Sequence, residues 1–544
     1  MRHLIRNALI VTGDGTTEPF AGDALIDGER IAHLGAVPPS AAEGADRVTE
    51  AEGRVLAPGF IDCHNHGALG GTRIGAKGIP VACENAVLAG VTKRICGTDG
   101  LSPAPVAEAE REDYALMLTP LDGGIGEPFT WSTLAEFYNW HRGRSVTDMG
   151  VHLGHSAVRR MAIGNVKRPA SPSEVRLMEE VVRREAPQAI GFSTGLIYNP
   201  AVFSDQKELA SLIRAFNSVK PGGFFPHIRN ESDAILDALE EAIGAAVDGG
   251  GAYCNEHSKI GGPRNYDKIG EVERLFDQAA DNVPAMENMY IYTAGSTTGD
   301  ACFPPEFRSG NREDFLGHLK DPVSRRAMHE WIRGGSAHWE NFIDFCGGLQ
   351  GVQIAGVKEG VGDEFLGKRL GDVARARGFP DLESFEALDA VMDFFVENDL
   401  LITIISHHGD EPTVQRLFKR KTMAICTDGL MPGPGQKPHP RSIGSFPKAL
   451  RYARELGVDL KEIVHRMTAM PCAFFRLDNP VLRSGADASL VLFDWDTVRE
   501  MNDYDDPYIP PQGIDFVWVH GVPVLENAEI RVPDPFPGRI LQTG

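Results

Sequence analysis

From residue 57 to about residue 480, short apolar runs ending in Gly, Pro or polar residues alternate with helical patterns such as Pro172 to Arg184 and Lys207 to Asn217. A chain patterned this way must cross back through each helix before laying down its next strand, which builds βαβ units and a parallel sheet. Runs near 59–63, 91–97, 149–154, 188–193, 223–227, 251–257, 286–291 and 421–427 provide eight such units. Eight units predict a TIM-like (β/α)₈ barrel. The stretch between the seventh and eighth runs, about 295 to 420, is far too long for one crossover. It is rich in Gly, Pro and aromatic residues early and helical later, as at Leu382 to Glu397. We expect an inserted subdomain there, at about 295–400, over the barrel mouth.

The two chain ends read differently. Ala8 to Val11, Asp23 to Ile26 and Arg30 to Leu34 are short strand patterns separated by turns, and so are Ala488 to Phe493, Phe516 to Val519 and Val522 to Leu525. Strands far apart in sequence can share a sheet, so residues 1–56 and 481–544 are expected to form one small β-sandwich beside a barrel domain spanning 57–480.

Charge narrows the partners. The 544 residues carry a net charge of −22, which opposes binding to nucleic acid or to an anionic membrane, since both need basic patches. A small anionic substrate would need its own local Arg or Lys. Eight cysteines lie at 63, 83, 96, 254, 302, 346, 426 and 472 without paired spacing, so neither a disulfide framework nor a zinc ribbon is indicated. The start, Met1-Arg2-His3-Leu4-Ile5-Arg6, lacks a signal-peptide core, and no apolar stretch approaches a membrane span. The expectation is a protein of the reducing cytoplasm, with a homo-oligomer compatible with the sequence.

Chemistry gathers where the barrel strands end. In Pro58-Gly59-Phe60-Ile61-Asp62-Cys63-His64-Asn65-His66-Gly67 an apolar run finishes in two histidines one residue apart. In extended chain, positions i and i+2 face the same side, so His64 and His66 can aim at one point. His227 ends the fifth run, His257 the sixth and Asp428 the eighth, while Asp99 follows the second. Active-site groups of such barrels come from the C-terminal ends of strands. Four imidazoles and two carboxylates on one rim form a metal site suited to Zn²⁺, with Mn²⁺ or Fe²⁺ as alternatives. His152 with His155, and His407 with His408, are assigned pocket-lining or supporting roles.

With these residues in hand, the chain resembles the amidohydrolase superfamily, and within it the N-acyl-D-amino-acid deacylase (D-aminoacylase) family. The broader likeness lies in Gly59 to His66, the later ligands and the closing Gly485-Ala486-Asp487-Ala488-Ser489-Leu490-Val491. The narrower one lies in Gly191-Phe192-Ser193-Thr194-Gly195-Leu196-Ile197-Tyr198, His227-Ile228-Arg229-Asn230-Glu231, Tyr292-Thr293-Ala294-Gly295-Ser296-Thr297 and His439-Pro440-Arg441-Ser442-Ile443-Gly444-Ser445-Phe446-Pro447.

The resemblance implies one metal position at His64, His66 and Asp428, and another at His227 and His257. The ligand between them is a cysteine of a Gly-Asn-Cys-Gly turn in typical members. Here the matching turn is Gly97-Thr98-Asp99-Gly100, so Asp99 takes that place; Cys96 is three residues out of step. No lysine ends the fourth strand, so a carbamylated-lysine bridge is not expected. The implied activity is cleavage of N-acyl-D-amino acids, or related N-acyl amino acids, to a carboxylate and a free amino acid by a metal-activated water, with one or two ions. Asp428 is the expected general base. Arg441 and Lys259 match the positions that bind the product carboxylate, Tyr290 offers a hydroxyl, and Tyr198 and Ser296 line the pocket. Tyr290-Ile291-Tyr292 replaces the family's Tyr-Pro-Tyr, and Pro200-Ala201 its Pro-Gly.

Rival readings are a cyclic-amide hydrolase of the hydantoinase or dihydroorotase kind, a deaminase, and a metal-free scaffold. The first conflicts with the missing lysine, the second with the lack of a helix-borne His-x-x-Glu, and the third with retention of every ligand.

Overall fold

In the computed structural model, residues 1–125, 127–431 and 433–543 are described. The barrel strands are β1 (Phe60–Asp62), β2 (Val91–Cys96), β3 (Asp148–Val151), β4 (Phe192–Gly195), β5 (Gly223–His227), β6 (Ala252–Asn255), β7 (Ala285–Met289) and β8 (Met423–Ile425). β1, β2 and β3 pair in parallel, as do β4 through β7, with β8 parallel to β7. Two joints close the ring. At the first, Ile190 N donates to Val151 O and Leu153 N to Gly191 O, both at 2.8 Å. At the second, Asp428 N donates to His64 O at 2.9 Å and His66 N to Gly429 O at 3.1 Å.

The barrel interior is a packed core. Ile61, Cys63, Ile95, Phe225, Cys254, Met286, Ala424 and Cys426 fill it, with Phe475 below. His152 belongs to this interior. Its ring lies 4.2 Å from that of Phe225, and burial drives its pKa down to about 3. It therefore supports the floor and does not line the pocket. His155 instead joins Thr194 Oγ1 at 2.9 Å and Glu208 at 2.8 Å.

Local signals fix the start of one crossover helix. Ser171 and Glu174 form a capping box at the start of Pro172–Glu185, with Pro172 in the first turn, where its missing N–H costs nothing. A short 3₁₀ turn, Ala186–Gln188, follows this helix and delays β4 to residue 192, later than its apolar pattern suggests.

Among the described residues, strands from both chain ends form one nine-stranded sheet. They meet where Leu490–Phe493 runs antiparallel to Val55–Pro58, immediately before β1. Ile5, Ile10, Ile26, Leu56, Leu490, Leu492 and Trp518 make the sheet's own core. Residues 538–541 leave this sheet: Met149 N donates to Arg539 O at 2.9 Å and Leu541 N to Met149 O at 2.8 Å, so the tail lies along β3.

The insertion between β7 and β8 holds an antiparallel sheet with Thr403–His407 between Ala294–Thr298 and Val352–Gly356. Its helices include Pro322–Arg333 and Phe385–Glu397. The latter begins three residues later than its pattern suggests because the Ser384 side chain caps it. No helix among the described residues is long and apolar enough to cross a membrane.

Candidate metal centre

The backbone first sets where the donors point. His64 and His66 lie just past β1, held extended by Asn65 N donating to Ile95 O at 2.9 Å and by the His66–Gly429 bond. Asp99, His257 and Asp428 each follow a strand and each has a left-handed backbone, with φ of 54°, 34° and 48°. Such conformations cost non-glycine residues on the order of 1 kcal/mol or more and concentrate at functional sites. Here the reversal turns each side chain from the barrel wall into the mouth.

All six sequence-nominated donors converge. His64 Nε2 lies 3.6 Å from both Asp99 Oδ1 and Asp428 Oδ1. His66 Nε2 lies 3.5 Å from Asp99 Oδ2 and 3.3 Å from Asp428 Oδ1. On the other side of Asp99, His257 Nε2 is 3.2 Å from Oδ1 and His227 Nδ1 is 3.8 Å from Oδ2. Donors about 2.1 Å from a tetrahedral ion lie roughly 3.4 Å apart, so these spacings fit. The nominated residues form two donor sets, His64–His66–Asp99–Asp428 and Asp99–His227–His257, with the Asp99 carboxylate common to both, and a third group, His227–Glu231–Glu340, adjoins them. His64 Nε2 and both ring nitrogens of His227 are buried without a hydrogen-bond partner. Of these, His64 Nε2 and His227 Nδ1 face Asp99, and orphaned imidazole nitrogens around a shared carboxylate are what a cation would satisfy. Cys96 stays in the wall, its thiol pushed up to about 12 by burial.

Electrostatics are consistent with this crowding. Burial opposes charging of His66, but Asp428 and Asp99 override it and raise its pKa to about 9. Burial raises the Asp428 carboxyl, yet the Arg441 guanidinium and the neighbouring imidazoles hold it well below the usual range. Arg441, fully buried in the first turn of the helix Arg441–Leu456, places NH1 2.8 Å from Asp428 Oδ2 and donates NH2 to Ser296 O at 2.9 Å. His439 Nδ1 accepts from Arg441 N at 3.0 Å, fixing that turn.

The remaining nominated residues surround a small cavity lined by Asp99, Tyr198, His227, Lys259, Tyr290 and Arg441. Arg441 stacks 4.4 Å from the Tyr290 ring centroid, and the Tyr290 hydroxyl is buried without a partner. Tyr198 shares a 2.6 Å hydrogen bond with Thr297 Oγ1. Ser296 lines the same cavity, but its hydroxyl donates to Ile404 O at 2.6 Å, so its backbone carbonyl is what serves Arg441. Lys259 Nζ is committed to Glu231 Oε1 at 2.8 Å and His257 Nδ1 at 2.7 Å. His408 lies at the cavity edge, whereas His407 bonds Gln353 at 2.9 Å outside it.

Sequence reasoning missed the residues behind the donors. His64 Nδ1 meets Glu256 Oε2, whose other oxygen accepts from Asn288 Nδ2 at 3.0 Å. Asn288 Oδ1 in turn accepts from His257 N at 2.6 Å. A carboxylate behind a ligand imidazole fixes its tautomer and orientation. The adjacency of Glu256 to His257 was the one available signal.

Comparison with known proteins adds to this geometry. No protein-family model matches the chain. It is 30% identical over 545 residues to the N-acyl-D-glutamate deacylase of Alcaligenes xylosoxydans xylosoxydans, covering 98% of this chain and 96% of the relative. It is 28% identical over 541 residues to the D-aminoacylase of the same organism, covering 96% and 94%. The crystal structure of N-acyl-D-glutamate deacylase from Bordetella bronchiseptica, complexed with zinc and a phosphonate mimic of the tetrahedral intermediate, superposes with a TM-score of 0.78 at 25% identity, covering 99% of each chain. With a relative at that identity along nearly its whole length and the donor set in place, the chain belongs to the N-acyl-D-amino-acid deacylase family of amidohydrolases.

Proposed function

We propose that this protein hydrolyses the amide bond of N-acyl-D-amino acids, releasing a carboxylate and a free D-amino acid. The observation that carries the reading is the convergence of four imidazoles and Asp428 around the Asp99 carboxylate. His64, His66 and Asp428 would hold one ion and His227 with His257 another, Asp99 serving both, and Zn²⁺ is the ion we assign to this nitrogen–oxygen donor set. When bound, the metal lowers the pKa of water towards ~7 and polarises the amide carbonyl.

Asp428 is the general base. Arg441 keeps it ionised, so it can take the proton of the attacking water and pass it to the leaving amine nitrogen. Arg441 also presents the cationic face that receives the substrate carboxylate, and the unpartnered Tyr290 hydroxyl beside it supplies a neutral donor. Lys259 contributes positive charge from one side, though it is already anchored by Glu231. Tyr198, tied to Thr297, gives the cavity a fixed wall beside His227.

The test is a hydrolysis screen of N-acetyl and N-formyl D- and L-amino acids with protein stripped of metal and then reloaded with Zn²⁺. The expected result is Zn²⁺-dependent release of D-amino acids. Turnover confined to L-substrates or cyclic amides, or undiminished after stripping, would overturn the reading.

A further inference from the structure

The second metal position is supported from an unexpected quarter. Glu231 follows β5, four residues after His227, and is 4% exposed. Its Oε1 lies 3.1 Å from His257 Nδ1 and its Oε2 lies 3.8 Å from His227 Nε2. One carboxylate thus faces the outer nitrogens of both imidazoles whose other nitrogens face Asp99. Lys259 Nζ holds the Glu231 carboxylate at 2.8 Å and Gly261 N donates to its carbonyl at 2.7 Å, while the insertion holds its backbone N–H. Glu340, also 4% exposed, accepts from Glu231 N through Oε2 at 2.9 Å. Next to it, Asn230 Nδ2 donates to Ser336 O at 2.9 Å, so residues 336–340 clasp the loop after β5 at two consecutive residues. Burying two carboxyl groups side by side is costly without such hydrogen bonds, which argues against simple packing filler at this point.

We propose that Glu340 is a positioning residue through which the insertion sets the second metal position: it holds Glu231 so that His257 and His227 present Nε2 and Nδ1 to the metal. The proposal rests on the metal assignment above. A Glu340 oxygen lies within 4.8 Å of a His227 ring nitrogen without hydrogen-bonding it, and its action on the site runs through the bond to Glu231. Losing a carboxylate partner behind ligand imidazoles typically lowers metal affinity about 10–100-fold.

The experiment is a Zn²⁺ titration of the stripped full-length protein against a competing chelator, run on wild type, Glu340→Gln and Glu340→Ala. Gln keeps an oxygen that can accept from Glu231 N, whereas Ala does not. We expect two Zn²⁺ affinities in wild type. One of the two equivalents should fall at least tenfold in Glu340→Ala and be largely restored in Glu340→Gln, with the affinity of the other equivalent unchanged. That unchanged affinity also reports that the variant is folded. Equal affinities in Glu340→Ala and wild type would overturn the proposal, as would equal loss in both variants. No Zn²⁺ uptake by wild type would instead overturn the metal assignment on which it stands.

Discussion

Asp428 unites three properties that only its position gives it: a left-handed backbone at φ 48°, an ion pair to a fully buried arginine and the imidazoles of His64 and His66 within 3.6 Å. Its replacement separates base from scaffold. Asp428→Asn should lower kcat by about 10²–10⁴ with the circular dichroism spectrum unchanged; a near-normal kcat would remove Asp428 from the base role. Asp99 is the carboxylate common to both donor sets. A carboxylate is a harder ligand than a thiolate, so Asp99→Cys should shift metal preference from Mn²⁺ towards Zn²⁺ by at least about tenfold, read by competitive binding of the two ions. An unchanged ratio would show that Asp99 does not touch the metal. At this scale the sequence was highly legible, because each donor ends an apolar run. It was silent on Glu256, which reaches His64 across 192 residues, and on Glu340, which no motif marks.

Single elements follow their local signals where those signals are complete. The Pro172–Glu185 helix has a capping serine, a reciprocal Glu174 and a first-turn proline, and it begins where the sequence places it. Ser171→Ala should cost about 1 kcal/mol, measurable by urea denaturation with kcat untouched; a loss of activity instead would mean that the helix communicates with the site. β6 shows the opposite case. Its apolar pattern runs to His257, but the strand ends at Asn255, because the turn that aims His257 inwards breaks the ladder. The site's geometry therefore shortens the strand that carries it. A similar conflict makes the chain pair with β2 through β3 and with β4 only through the following Leu153–Gly154, leaving His152 in the core between them.

At the scale of the molecule, the outer sheet is riveted to the barrel by His520. Its Nδ1 lies 2.8 Å from Asp487 and its Nε2 lies 2.9 Å from Asp148 on β3. Burial opposes its protonation, but the two aspartates raise its pKa from 6.5 to about 9. A raised folded-state pKa stabilises fully below the unfolded value and is lost as pH climbs through the folded one. Stability should therefore decline between pH 6.5 and about 9, by at most about 1.4 kcal/mol per pH unit from this group. His520→Gln should flatten that part of the profile in thermal melts; a slope identical to wild type would show that the rivet does not titrate. The sequence by itself determined the βα alternation, the eight strand runs and the donors at their ends, since periodicity and strand-end position are local properties of a chain. Only the tertiary structure decided which carboxylates stand behind the histidines, how residues 538–541 return to β3, and that Glu340 of the insertion accepts from Glu231 N. Each of those depends on groups hundreds of residues apart meeting at hydrogen-bond distance, and such meetings are fixed by packing of the whole fold.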